Sequence, residues 1–158
     1  MKVRTGIGQD SHRFDTVNNK ECIIAGVEIQ GCDGLKGNSD ADVVLHAITN
    51  AISGITGVNI LGGIADELCK KGISDSSIYL QKALEFLGNN KISHVSVTIE
   101  CKKPKISPHI GRMKKRISNL LSIDVTDVGI TATTGEGLTE FGRGEGIQAF
   151  AIVTTMDA

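Results

Sequence analysis

The strongest constraint on this chain is an aliphatic stripe made by Val43, Val44, Ala47, Ile48, Ala51, Ile52 and Ile55. Its spacing is that of one helix face, and Asp42, His46, Thr49, Asn50 and Ser53 form the opposite, polar side. Ser39 or Asp40 is suited to cap this helix, and Asp42 to its first turn, where an acid meets the positive end of the helix dipole. So continuous an apolar face must be buried against a second layer. Strands supply that layer. Val95, Val97 and Ile99 alternate with polar neighbours over residues 93–101, the two-residue period of a half-buried strand. Further strands are predicted over 3–10, 21–29, 128–133 and 147–154. Further helices are predicted over 65–71, from an Asp75 or Ser76 cap to about Leu87, and over 109–121. Strand pairs begin and end the chain, with helices and strands alternating between them. That order predicts an α/β (α+β) fold with a mixed β-sheet, helices packed on one face, and layers of the ferredoxin-like type.

The chain of 158 residues suits one domain over its whole length. A net charge of −1 gives no broad field for nucleic acid or an anionic membrane, and phosphate binding has to be local. With no Trp, one Tyr and four Phe, stacking on bases is a poor binding mode. No run of the chain reaches transmembrane length. Cys22, Cys32, Cys69 and Cys101 form no C-x-x-C pair, so the expectation is a cytoplasmic protein with reduced thiols.

Chemistry concentrates at three places. Asp10 and His12 stand two apart in an extended segment, so their side chains point the same way. His46 lies on the polar side of the long helix. Taken singly, each has a plainer reading, as a solvated strand end or an exposed helix histidine. Together they offer two nitrogens and one oxygen with a fourth tetrahedral position open, the arrangement of a catalytic zinc. Asp42, one turn before His46, is either an acceptor behind the imidazole or a plain N-terminal helix acid. The third place is the loop 132–146, ATTGEGLTEFGRGEG, which follows a strand directly. Its glycines permit close backbone approach to a ligand. Thr133 and Thr134 offer hydroxyls, Glu136 a hard oxygen for a cation such as Mg²⁺, and Arg143 a fork for phosphate or carboxylate. Lys102, Lys103 and Lys105 form a short basic run, read either as a solvated face or as a phosphate contact through Lys105. His94 reads as structural or exposed, and His109 as packing.

In this order the motifs resemble the 2-C-methyl-D-erythritol 2,4-cyclodiphosphate synthase family. They are G-x-D-x-H at Gly8 to His12, S-D-x-D-x-x-x-H at Ser39 to His46, Pro104-Lys105 with Pro108-His109-Ile110, A-T-T-x-E at Ala132 to Glu136, and G-R-G-E-G at Gly142 to Gly146. The resemblance implies cyclisation of 4-diphosphocytidyl-2-C-methyl-D-erythritol 2-phosphate with release of CMP. It implies a homotrimer with active sites between subunits, one zinc per chain on Asp10, His12 and His46, and Mg²⁺ or Mn²⁺ on Glu136. Asn38, Ser39, Asn59, Ile60, Leu61 and Asp66, with Asp10 and His12, are implied at the methylerythritol end. Cys101, Pro104, Lys105, Ile106, Ala132, Thr133 and Thr134 are implied at the cytidine end, and Arg143 at the trimer axis. Thr134 and Asn38 are the implied catalytic positions. The chain departs from the family where Asn38 replaces a frequent His, where Asn59-Ile60-Leu61 replaces Asp-Ile-Gly, where Ile64-Ala65-Asp66 replaces Phe-Pro-Asp, and where Glu140 replaces an apolar residue. A metal-dependent phosphate-ester hydrolase and a non-catalytic trimeric nucleotide-binding protein are the alternative readings.

Overall fold

A computed structural model describes residues 1–157. Six strands and four α-helices follow one another as β1 (Val3–Arg13), β2 (Cys22–Ile24), β3 (Val27–Ile29), α1 (Val43–Thr56), α2 (Gly63–Lys70), α3 (Ser76–Leu84), β4 (Asn90–Glu100), α4 (Ile110–Leu121), β5 (Val128–Thr133) and β6 (Gly146–Asp157). The main sheet has the order β1-β6-β4-β5. β6 is antiparallel to both β1 and β4, and β4 is parallel to β5. The sheet is therefore mixed, as predicted. Its chain order, β-α-β-α-β-β, differs from the β-α-β-β-α-β of a ferredoxin-like domain. The three-helix excursion between β1 and β4 leaves room for β6 to return between them.

Alternation along β4 and β6 explains the layers. Val95, Val97, Ile99, Ile147, Ala149, Ala151 and Val153 are buried on the inner face, while Phe150 and Ile152 point out. The stripe of α1 covers the inner face, and its Val43, Val44, Ala47, Ile48, Ala51 and Ile52 are fully buried. On β1 the inner positions are Gly6 and Gly8, and a Cβ at either would collide with backbone oxygens of Ala51 and Ala47. The glycines let α1 lie against the strand backbone. The next two inner positions along the same strand are Asp10 and His12.

Three local expectations are corrected. Residues 21–29 form a hairpin rather than one strand: Ala25 and Gly26 take φ of 55° and 70°, a two-residue turn with both centres left-handed. The cap of α1 is Asp42, rather than Ser39 or Asp40. Its carboxylate accepts from the N–H groups of Val44 and Leu45, and also from those of Ala25 and Gly26 at 2.9 and 2.6 Å. It thus caps a helix and holds the hairpin turn together, and the reading of Asp42 as an acceptor behind the His46 ring falls. The strands β1, β4 and β6 also run up to three residues past their expected ends, because pairing continues as far as Arg13↔Gly146 and Asn90↔Asp157.

Candidate metal and phosphate site

Asp10 and His12 project from the end of β1, and His46 from the first turn of α1. Close packing at Gly6 and Gly8 brings the helix near enough for the three to meet. Asp10 Oδ2 lies 3.1 Å from His12 Nε2 and 3.0 Å from His46 Nδ1. One ligand atom from each residue falls within 4.8 Å of the others. His46 keeps 10% of its side chain exposed, Asp10 20% and His12 25%, so the group is shielded on the helix side and open on the other. Burial pushes the Asp10 carboxyl upward. The hydrogen bonds and charges of His12 and His46 outweigh that push and hold it below the ordinary carboxylate value. The hydrogen bond to Asp10 raises His12 above the ordinary imidazole value, against burial. Two imidazoles and one carboxylate with an open side fit a four-coordinate divalent metal such as zinc.

The triad opens into a cavity of about 260 Å³ lined also by Asn38, Ser39, Leu61 and Asp66. Thus the structure gathers most of the expected methylerythritol-end residues around the triad. Ile60 is fully buried in the core, with its carbonyl accepting from Ala65 N–H at 3.0 Å, and Ile60 and Asn59 both lie outside the cavity lining. Leu61 stands where a glycine was expected. The next residue, Gly62, lines the cavity with φ of 113° and immediately precedes α2 at its N-cap, so the glycine is displaced by one position. Sequence reasoning missed Gly62, Cys69 and Tyr79 in the lining. The Gly62-Gly63 pair ahead of a helix was the available signal. It also missed Lys20, whose ammonium donates to the carbonyls of Leu35, Gly37 and Ser39 at 2.8, 3.1 and 2.6 Å. That staple holds the loop carrying Asn38 and Ser39.

Cys101, Pro104, Lys105, Ile106, Ala132, Thr133 and Thr134 line a second hollow of about 190 Å³ between the ends of β4 and β5. The Thr133 and Thr134 hydroxyls accept from the N–H groups of Gly135 and Glu136 at 3.0 and 3.3 Å. Each hydroxyl keeps its own proton to donate outward. Glu136 is exposed beside them with φ of 56°. Arg143 donates to Gly137 O at 3.3 Å, and Glu140 pairs with Arg13 at 3.2 Å. His94 is exposed, and His109 accepts from Arg112 at 2.6 Å.

Fold and site together define a single-domain α/β protein with an open carboxylate–bis-imidazole triad that could hold a metal ion, and a separate hydroxyl-lined hollow. The YgbB family model matches residues 3–156, and the chain belongs to the YgbB family. It is 50% identical over 157 residues to a 2-C-methyl-D-erythritol 2,4-cyclodiphosphate synthase of Chlamydia trachomatis serovar L2b, covering 98% of this chain and 88% of the relative. To the enzyme of that name from Chlamydia felis it is 51% identical, covering 98% and 89%. Among solved structures, the bifunctional IspDF of Campylobacter jejuni matches with a TM-score of 0.90 at 28% identity. That match covers 99% of this chain and 43% of the longer one, so this chain spans less than half of the bifunctional protein. IspF of Plasmodium falciparum in its CDP complex matches with a TM-score of 0.83 at 27% identity, covering 98% and 96%. Among the described residues no helix is long and apolar enough to cross a membrane.

Proposed function

We propose that this chain converts 4-diphosphocytidyl-2-C-methyl-D-erythritol 2-phosphate to 2-C-methyl-D-erythritol 2,4-cyclodiphosphate and CMP, a step of isoprenoid precursor synthesis. The observation that carries the proposal is the convergence of Asp10, His12 and His46 in a chain about half identical to curated synthases over nearly its full length. In the reaction a 2-phosphate oxygen bonds to the β-phosphorus and the bond from that phosphorus to the CMP oxygen breaks. No water is consumed. The nucleophile is already ionised near neutral pH, so the protein's work is to position two anionic groups and offset their repulsion.

Asp10, His12 and His46 would hold zinc, which when bound supplies a Lewis acid toward a phosphate oxygen. Asn38 and Ser39 flank that position and offer uncharged donors to the methylerythritol end. Thr133 and Thr134 have free hydroxyl protons for the diphosphate, with Thr134 as the transition-state donor. Glu136 is a single exposed carboxylate, which suits Mg²⁺ or Mn²⁺ completed by substrate phosphates. The hollow from Cys101 to Thr134 would take cytidine, a reading supported by the CDP complexes among related structures. The metal cavity and the cytidine hollow are separate within one chain. That separation, and the open apolar face of the sheet, support a homotrimer whose active sites lie between subunits. Arg143 then faces the shared axis. A cytoplasmic location belongs to the same reading, supported by four free thiols.

The test is incubation of zinc-loaded protein with the substrate and Mg²⁺, followed by chromatography and mass spectrometry. CMP with a cyclic product is expected. A linear product heavier by one water would make the protein a phosphate-ester hydrolase, and nucleotide binding without turnover would make it a binding protein.

A further inference from the structure

His46 is gripped from behind as well as from the front. While Nδ1 faces Asp10, Nε2 lies 2.7 Å from Ser76 Oγ. Ser76 is the first residue of α3 and is fully buried. Its hydroxyl in turn hydrogen-bonds Asp40 Oδ1, and its N–H donates to Asp40 Oδ2 at 3.0 Å. Asp40 Oδ1 also accepts from Asp42 N at 3.1 Å. Ser39 Oγ stands 3.5 Å from the same imidazole nitrogen, too far to be its main partner.

The direction of this chain follows from proton counting. A carboxylate only accepts, and a hydroxyl has one proton. Ser76 must give that proton to Asp40, so toward His46 it can only accept. His46 Nε2 must then carry hydrogen, so Nδ1, 3.0 Å from Asp10 Oδ2, is the ring position turned toward a cation, and the proton it shares with Asp10 in the metal-free protein is the one a metal displaces. We propose that Asp40 and Ser76 are positioning residues that hold the His46 ring plane and keep the proton on Nε2, so that Nδ1 is the nitrogen presented to a metal. The inference rests on the metal reading of Asp10, His12 and His46. It adds that the metal site is built from three elements, because α3 and the loop before α1 set the chemistry of a side chain on α1.

Zinc affinity measured by chelator competition on the full chain tests this directly. Ser76→Ala removes the acceptor. Asp40→Asn allows an amide to donate to Ser76, which reverses the chain and places a proton on Nδ1. Each is expected to weaken zinc binding about 10- to 100-fold. Combining them should weaken it little beyond either alone, because both act through one chain. Ser76→Thr, which keeps the hydroxyl, should restore most of the affinity. ¹⁵N spectra of the zinc-free wild-type protein should show His46 protonated at Nε2, and this readout does not depend on any variant folding. Wild-type affinity in Ser76→Ala and Asp40→Asn, or a zinc-free His46 protonated only at Nδ1, overturns the proposal. A wild-type chain that takes up no zinc overturns the underlying metal reading instead.

Discussion

Asp10 serves two imidazoles through one carboxylate oxygen, so each histidine reaches the metal position against the same anchor. Replacing His46 by Ala leaves one nitrogen and one oxygen. Zinc affinity should then fall by more than the about 10- to 100-fold cost of losing a partner behind a ligand. Equilibrium dialysis with elemental analysis measures this, and stoichiometric zinc in His46→Ala would remove His46 from the site. A second carboxylate acts on folding alone. Asp15 is buried and accepts from the N–H groups of Val17 and Asn18 at 3.1 and 3.0 Å, and from the Asn18 side chain at 2.9 Å. The Asn18 side chain, then the backbone donors, hold its carboxyl below the ordinary value. An acid whose folded pKa is depressed stabilises the fold above its unfolded pKa, and that contribution disappears as pH falls through the folded value. Urea unfolding at about pH 7 and about pH 3 should show a smaller acid loss in Asp15→Asn than in the wild type, because the amide has no proton to gain in that window. An equal loss in both would assign the acid sensitivity elsewhere.

Elements meet where side chains are missing. At Gly8 an added Cβ would strike Ala47 O, and at 2.5 Å it would strike Ala51 N. Backbone atoms of a helix cannot rotate away, so Gly8→Ala has to push α1 off β1. The cost should be at least about 1–3 kcal/mol, and zinc affinity should fall with it because His46 rides on α1. Gly111→Ala is the matched control. Its Cβ meets nothing within 4 Å in α4, and a helical Gly→Ala change there should add about 0.5–1 kcal/mol of stability. Denaturant midpoints decide between these opposite signs. Much of this architecture was legible in the sequence because it follows period: the α1 stripe, the β4 alternation and the 128–133 strand all repeat at the spacing of their element. The misread parts depend on distant partners. The Ala25-Gly26 turn has no strong local signature, and its two N–H groups are held by Asp42, 17 and 16 residues away. Asp10 and His12 were legible as a pair because alternation aims both the same way. Ser76, 30 residues beyond His46, was not, because the long-range packing of α3 brings it there.

At the scale of the whole molecule, the outer face of the sheet is the part the chain leaves unfinished. Ile7 and Ile152 are directly paired across β1 and β6, yet they are 68% and 44% exposed, with Phe150 beside them at 40%. A contiguous apolar patch on one side of a sheet marks an interaction surface. In the proposed reaction a neighbouring copy would bridge the separation between the Asp10–His12–His46 cavity and the Cys101–Thr134 hollow, and self-association through this face would answer both features. Ile152→Glu places a charge at the middle of that face without touching the inner core, the triad or the threonine loop. The wild-type protein should sediment at about three times the 16.7 kDa chain, and Ile152→Glu at the mass of one chain, since burying an unpaired carboxylate at an interface costs several kcal/mol. CMP release should fall with the assembly, while zinc content stays at one per chain because Asp10, His12 and His46 come from a single subunit. That combination separates assembly from metal binding. A monomeric wild-type protein with full turnover would show that one chain holds a complete active site, and the two hollows would then have to close on the substrate within it.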